Sequence, residues 1–218
     1  MKHAIHSQSR NILAKKTQQL QNTLREIDPQ QLAAITGARF SRKGKMEGEF
    51  TIDVWGQSMR ISFPEFIFSD GATGKDLQLS VQTLILYYFH TPAFAPQLDK
   101  WISFSELPGG KFYNSAFQGY TGQTLAKTFG NDYAVFAKAA TQIGGNRRAI
   151  GDMAFAYQAL PHIPILVVCW LGDQEVKTTF NILFDSVISH YLPTDACAIL
   201  GNQLTQMLVK TRDKDNRV

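Results

Sequence analysis

The chain has 218 residues, 44% of them hydrophobic and 18% charged, with a formal net charge of +4 and a pI near 9.0. This is the composition of a packed globule rather than a disordered chain, and its basic clusters, Arg39–Lys45 (RFSRKGK) and the set Lys2, Arg10, Lys15, Lys16, are explained better by a solvated surface than by nucleic acid. The longest apolar run, Ile163–Leu171, is about half a membrane span, and MKHAIHSQSRNILAKKTQQL lacks the apolar core of a signal peptide, so a soluble, cytoplasmic protein without a transmembrane segment is expected.

Ile12, Leu13, Leu20, Leu24 and Ile27 recur at helical spacing and predict a helix over Ser7 to Ile27. Asp28 suits an N-cap and Pro29 a first helical position, so a short second helix is expected over Gln30–Ile35, with Gly37 as its stop. From Ala38 to Asp70 the period falls to two. Phe50, Ile52 and Val54 alternate with polar neighbours, and a turn at Gly56-Gln57 leads into Met59–Phe63, a β-hairpin or the start of a meander.

Asp76–His90 predicts a largely buried helix, stopped before Pro92 and Pro96. In WISFSELPGGKFYNSAFQ, Trp101–Phe104 alternates like a strand, and Pro108-Gly109-Gly110 reads as a tight turn into a second short strand at Lys111-Phe112-Tyr113. The sharper reading of the same segment is a ligand site. Gly109 and Gly110 would admit a ligand close to the backbone, with Glu106 as acceptor, Lys111 as cation and Tyr113 as hydroxyl beside Phe112.

Helices follow over Ala116–Phe129 and Asp132–Ile143, with stops at Gly130 and Gly144-Gly145. Met153, Phe155 and Tyr157 alternate as in a strand, and ILVVCWL reads as a central strand covered on both faces. Thr178–Phe184 is ambiguous. A final helix from Thr194-Asp195 to Leu208 carries Ala198, Ile199, Leu204, Met207 and Leu208 inward. The fold class expected is α+β, a single domain with a mixed or antiparallel sheet packed against N- and C-terminal helices: helical segment 1–36, core 37–209, flexible tail 210–218.

No nucleophile elbow, phosphate loop or metal spacing occurs. Cys169 and Cys197 are isolated and read as buried, reduced, structural thiols. Asp152, Asp173, Glu175 and Asp185 fall near strand ends and are expected as turn or capping groups before catalytic ones. His162, bracketed by Pro161 and Pro164, is the one histidine with a conceivable axial or proton-transfer role.

Glu106–Phe117 (ELPGGKFYNSAF), Leu160–Glu175 with its LPHIPIL run and WLGDQE, and Leu183–Pro193 (LFD…YLP) stand in an order that resembles a bacterial and archaeal family, the domain of unknown function numbered 3786. The resemblance implies common descent over most of residues 80 to 208. It also implies an association of some members with corrinoid or iron–sulfur proteins and an appended cysteine-rich segment. With two cysteines, this chain departs from that segment and cannot build a four-cysteine cluster.

Three functions are expected in descending order. The first is a non-catalytic small-ligand-binding or accessory protein, with a site at Glu106, Gly109, Gly110, Lys111, Phe112 and Tyr113, His162, Asp173 and Glu175 as further candidates, and a tetrapyrrole or corrinoid ligand as the weaker specific version. The second is an enzyme using Glu106 with Asp173 or Asp185 for acid–base chemistry. The third is a protein-interaction or assembly factor docking through the basic N-terminal helix and the RFSRKGK loop.

Overall fold

Asp28 begins the ordered logic of the N-terminal half: its carboxylate accepts the Gln30 backbone N–H at 2.7 Å, capping a helix that opens on Pro29 and ends at Gly37 in the left-handed conformation. The computed structural model describes residues 2–91 and 93–215. The fold is α+β with two antiparallel sheets, and its packing divides it into two compact units.

The first unit takes residues 1–96 with the short segments Leu160–His162 and His190–Leu192. It contains α1 (Lys2–Leu24), α2 (Pro29–Thr36), the strands β1 (Arg39–Arg42), β2 (Gly48–Val54), β3 (Gln57–Phe63) and β4 (Phe68–Asp70), and α3 (Leu79–Phe89). The strands form a meander in the order β1-β2-β3-β4. The predicted hairpin is present. Its turn is Trp55-Gly56, one residue earlier than expected, because both residues take positive φ (54° and 72°), which twists the backbone with the strands.

Phe50, Ile52 and Val54 are buried on one face of β2, and Phe50 meets the rings of Phe40, Phe63 and Phe89 at 4.7, 5.7 and 5.0 Å. Thr17 on α1 and Thr83 on α3 share a buried hydrogen bond of 2.7 Å, which gives each of these two hydroxyls a partner where the helices pack.

The second unit takes residues 97–159, 163–189 and 193–218. It holds β5 (Trp101–Ser103), α4 (Gly110–Tyr120), α5 (Gly122–Phe129), α6 (Tyr133–Gln142), β6 (Asn146–Arg148), β7 (Met153–Leu160), β8 (Ile163–Trp170), β9 (Thr179–Asp185) and α8 (Thr194–Asp215), the last preceded by the short α7 (Ile188–Tyr191). Its sheet runs β5-β9-β8-β7-β6. β8 is buried from Ile163 to Cys169, as a continuous apolar run requires at the centre of a sheet. The ambiguous Thr178–Phe184 segment is strand β9, with Phe180, Ile182 and Phe184 buried in alternation.

Three expectations are corrected here. The helix expected over Ala116–Phe129 is the end of α4 and the whole of α5, broken at Thr121, whose φ of −118° and ψ of −94° are not helical. Lys111-Phe112-Tyr113 is the first turn of helix α4 and not a returning strand. The final helix continues past Leu208 to Asp215, so residues 210–215 are helical, and 216–218 lie outside the described residues.

Candidate ligand groove

The helix at Gly110 starts where it does because of what Phe104 needs. After β5, Phe104–Glu106 makes one tight 3-10 turn, and Ser103 and Glu106 form a capping box: the Glu106 carboxylate accepts the Ser103 backbone N–H at 2.7 Å and its hydroxyl at 2.8 Å. These two donors hold the Glu106 carboxyl below the usual carboxylate range. Leu107 is then buried, Gly109 turns the chain at φ 72°, and Gly110 passes directly under the Phe104 carbonyl, where a Cβ would lie 1.9 Å from the oxygen. The close backbone approach expected at the paired glycines is therefore made by the chain itself.

What the turn presents outward is aromatic. Phe112 is 90% exposed and Tyr113 is 67% exposed. Tyr113, Ala116 and Tyr120 follow one another at helical spacing along α4 and form one wall of a groove of about 360 Å³. The other wall is the start of α8, with Thr194, Asp195 and Ala198, and Phe104 and Pro108 complete the lining. The Thr194 hydroxyl donates to the Pro108 carbonyl at 2.7 Å, tying the two walls together. Phe104 is stacked on Phe117 at 4.0 Å with ring planes 7° apart, so the aromatic side of the groove rests on a fixed core pair. Partial burial raises the Tyr120 hydroxyl above the usual tyrosine range.

The remaining candidates do not join this groove. Gly109 and Gly110 shape the turn, Glu106 caps it, and Lys111 and Phe112 lie on the exposed surface of α4. Asp173 accepts the Glu175 and Val176 backbone N–H groups at 2.8 and 2.9 Å, which lowers its pKa and closes the turn after β8, and Glu175 lies exposed on that turn. Asp152 accepts the Leu171 N–H at 2.7 Å. Asp185 is fully buried and accepts the N–H groups of Leu98, Asp99 and Val187 at 3.0, 2.7 and 2.9 Å. Each carboxylate named for acid–base chemistry is thus engaged by its own neighbourhood's backbone.

His162 belongs to the first unit, in the Pro161-His162 turn between β7 and β8. Its ring meets Phe94, Tyr191 and Tyr88 at 5.0, 5.9 and 6.4 Å, and its backbone N–H donates to the Tyr88 hydroxyl at 3.2 Å, which in turn donates to the Thr36 carbonyl at 2.9 Å. Burial lowers the His162 pKa and raises that of Tyr88. The histidine occupies an aromatic box that fixes a turn. Among the described residues no three His, Cys, Asp or Glu side chains gather to hold a metal ion, and no helix is long and apolar enough to cross a membrane.

Glu106 of ELPGG, Asp173 of WLGDQE and Asp185 of LFD are thereby accounted for as turn and anchor groups. The model of one family, described as a domain of unknown function (DUF3786), matches residues 28–207. The chain belongs to the DUF3786 family. The match includes the first-unit meander as well as the ELPGG turn, so the DUF3786 region extends further toward the N-terminus than the motifs alone indicate. No curated protein and no solved structure matches the chain. Within the DUF3786 region, reading the motifs alone misses Tyr120, Thr194, Asp195 and Ala198 as groove residues. The spacing of Tyr113, Ala116 and Tyr120 carries the signal, but only once Gly110 is taken as a helix start.

Proposed function

We propose that this DUF3786 member is a non-catalytic binding protein whose ligand is a small, flat, mostly apolar molecule held between α4 and α8. The observation that carries the reading is the groove itself: about 360 Å³, walled by Tyr113 and Tyr120 against Ala198, with the Thr194 and Asp195 side chains at one side. Ligand sites of about 300–1,000 Å³ combine apolar and aromatic walls with a few polar groups. The two tyrosines supply wide apolar faces at low entropic cost, and the α8 N-terminus supplies the polar end. A binding role is favoured over acid–base catalysis because none of Glu106, Asp173 and Asp185 lines the groove, and buried Asp185 holds both of its oxygens on backbone N–H groups.

The test is fluorescence titration of the full chain with 8-anilinonaphthalene-1-sulfonate, with haem and dicyanocobinamide as the tetrapyrrole arms followed by absorbance. Ala198→Trp fills the groove from the α8 side and Tyr113→Ala removes its exposed wall. Saturable binding of at least one probe, lost in Ala198→Trp and weakened in Tyr113→Ala with the thermal midpoint unchanged, is the expected result. Binding unaffected by Ala198→Trp, or no binding of any probe, overturns the reading.

A further inference from the structure

Helix α4 has two flanks, and each lines a different groove. Tyr113, Ala116 and Tyr120 face the aromatic one, while Asn114 and Gln118 line a trough on the other side. That trough follows one face of α5, where Gln123, Ala126, Lys127 and Gly130 recur at helical spacing, and its opposite bank is the segment entering β9, with Lys177, Thr178 and Asn181. Its two lobes, about 690 and 500 Å³, share Gln123, Ala126, Lys177 and Thr178 and so form one continuous depression.

The chemistry of this lining is specific. Five carboxamides stand in it, at Asn114, Gln118, Gln123, Asn131 and Asn181, a side-chain type that carries both donors and an acceptor. The only aromatic lining residue, Phe180, is buried, so the trough is suited to hydroxyl groups rather than to stacking a ring. Two lysines, Lys127 and Lys177, outnumber the one carboxylate in the lining, Asp173, which holds one oxygen on the Glu175 and Val176 N–H groups and stays ionised.

The rim is preorganised. The Thr178 hydroxyl accepts the Gly172 N–H at 2.8 Å and donates to the Asn131 side-chain oxygen, and Gly172 has no room for a Cβ, which would lie 2.2 Å from the Val176 carbonyl. The Asn114 side-chain oxygen is itself enclosed, so Asn114 borders the trough through its other atoms.

We propose that this trough is a second binding site, for a small polyhydroxylated anion, a sugar phosphate or sugar acid whose hydroxyls meet the carboxamides and whose anionic end meets Lys127 and Lys177. The site is independent of the aromatic groove, from which α4 separates it.

Isothermal titration calorimetry on the full chain tests it with ribose 5-phosphate, gluconate, inorganic phosphate and sorbitol. One of the two hydroxylated anions is expected to bind saturably and about tenfold more tightly than phosphate or sorbitol, and Lys177→Met to weaken that binding by about tenfold. Gln123→Leu, at a position that both lobes share, is expected to weaken binding with the thermal midpoint unchanged. Gln123 and Lys177 are both exposed, so the two substitutions read binding and not folding. No saturable heat from either hydroxylated anion overturns the proposal. So does phosphate binding as tightly as the better of the two hydroxylated anions, or binding that Lys177→Met leaves unchanged.

Discussion

Gly110 lies so close beneath Phe104 that a methyl group on its Cα would sit 1.9 Å from the Phe104 carbonyl oxygen, whereas a methyl at the adjacent Gly109 would meet nothing within 4 Å. The two glycines therefore do different work. Gly110→Ala must push the 3-10 turn off α4 and should cost about 3 kcal/mol, as overpacking of a rigid site does. Gly109→Ala meets only the left-handed backbone penalty at φ 72°, about 1 kcal/mol. Urea denaturation of both variants checks the ordering. Equal losses would mean that the paired glycines serve turn flexibility and not the Phe104 contact.

Asp185 anchors the segment before β5. Its Oδ2 accepts the N–H groups of Leu98 and Asp99 and its Oδ1 that of Val187, from a fully buried position. Asp185→Ala strands these donors and should lower stability by about 3 kcal/mol. Asp185→Asn keeps one acceptor oxygen but turns an NH2 toward the remaining donors, so an intermediate loss is expected. Denaturant midpoints decide it, and an Asn variant as stable as the native protein would remove the anchoring role.

Gly109, Gly110 and Asp185 stand out in the sequence, whereas the groups they contact do not. Asp28-Pro29 and Gly37 were legible because a cap needs only its immediate neighbours, and β8 because a run of seven apolar residues from Ile163 to Cys169 can only be interior. ELPGGKFY was not. Strand-like alternation in Trp101–Phe104 encourages a hairpin, and the decisive fact, the Phe104 carbonyl over Gly110, is a contact that no local propensity encodes. The aromatic groove was half visible: Tyr113 belongs to the motif, while Thr194, Asp195 and Ala198 arrive from a helix about eighty residues later, a juxtaposition that depends on tertiary packing.

His162 should make stability depend on pH. Burial lowers its folded pKa below the ordinary histidine value of 6.5, opposed by a backbone hydrogen bond at Pro161. The folded state thus prefers the neutral ring. Its contribution is fully present above pH 6.5 and is lost as pH falls from there through the lowered folded value. The groups facing the ring are Tyr88, Tyr191 and Phe94, none of which titrates in that range. Thermal midpoints measured from pH 7.5 to 5 should fall less steeply in His162→Phe than in the native chain, with NMR titration of the His162 ring giving the folded pKa directly; parallel curves would assign the slope to other groups.

The cysteines make the last prediction, because their placement bears on thiol chemistry. Cys169 is enclosed on the central strand β8 and Cys197 on the inward face of α8, each with no exposed surface. Burial raises the Cys169 thiol to about 11 and the Cys197 thiol also upward, with the nearby charges of Asp152 and Asp195 acting in the same direction. A thiol reacts as its thiolate, and both effects suppress the thiolate near neutrality. Ellman's reagent at pH 8 should therefore leave both residues unmodified in the native protein and label both in urea, at a rate that follows global unfolding. Rapid labelling of either cysteine under native conditions, at a rate insensitive to added urea, would show instead that β8 or the start of α8 opens locally.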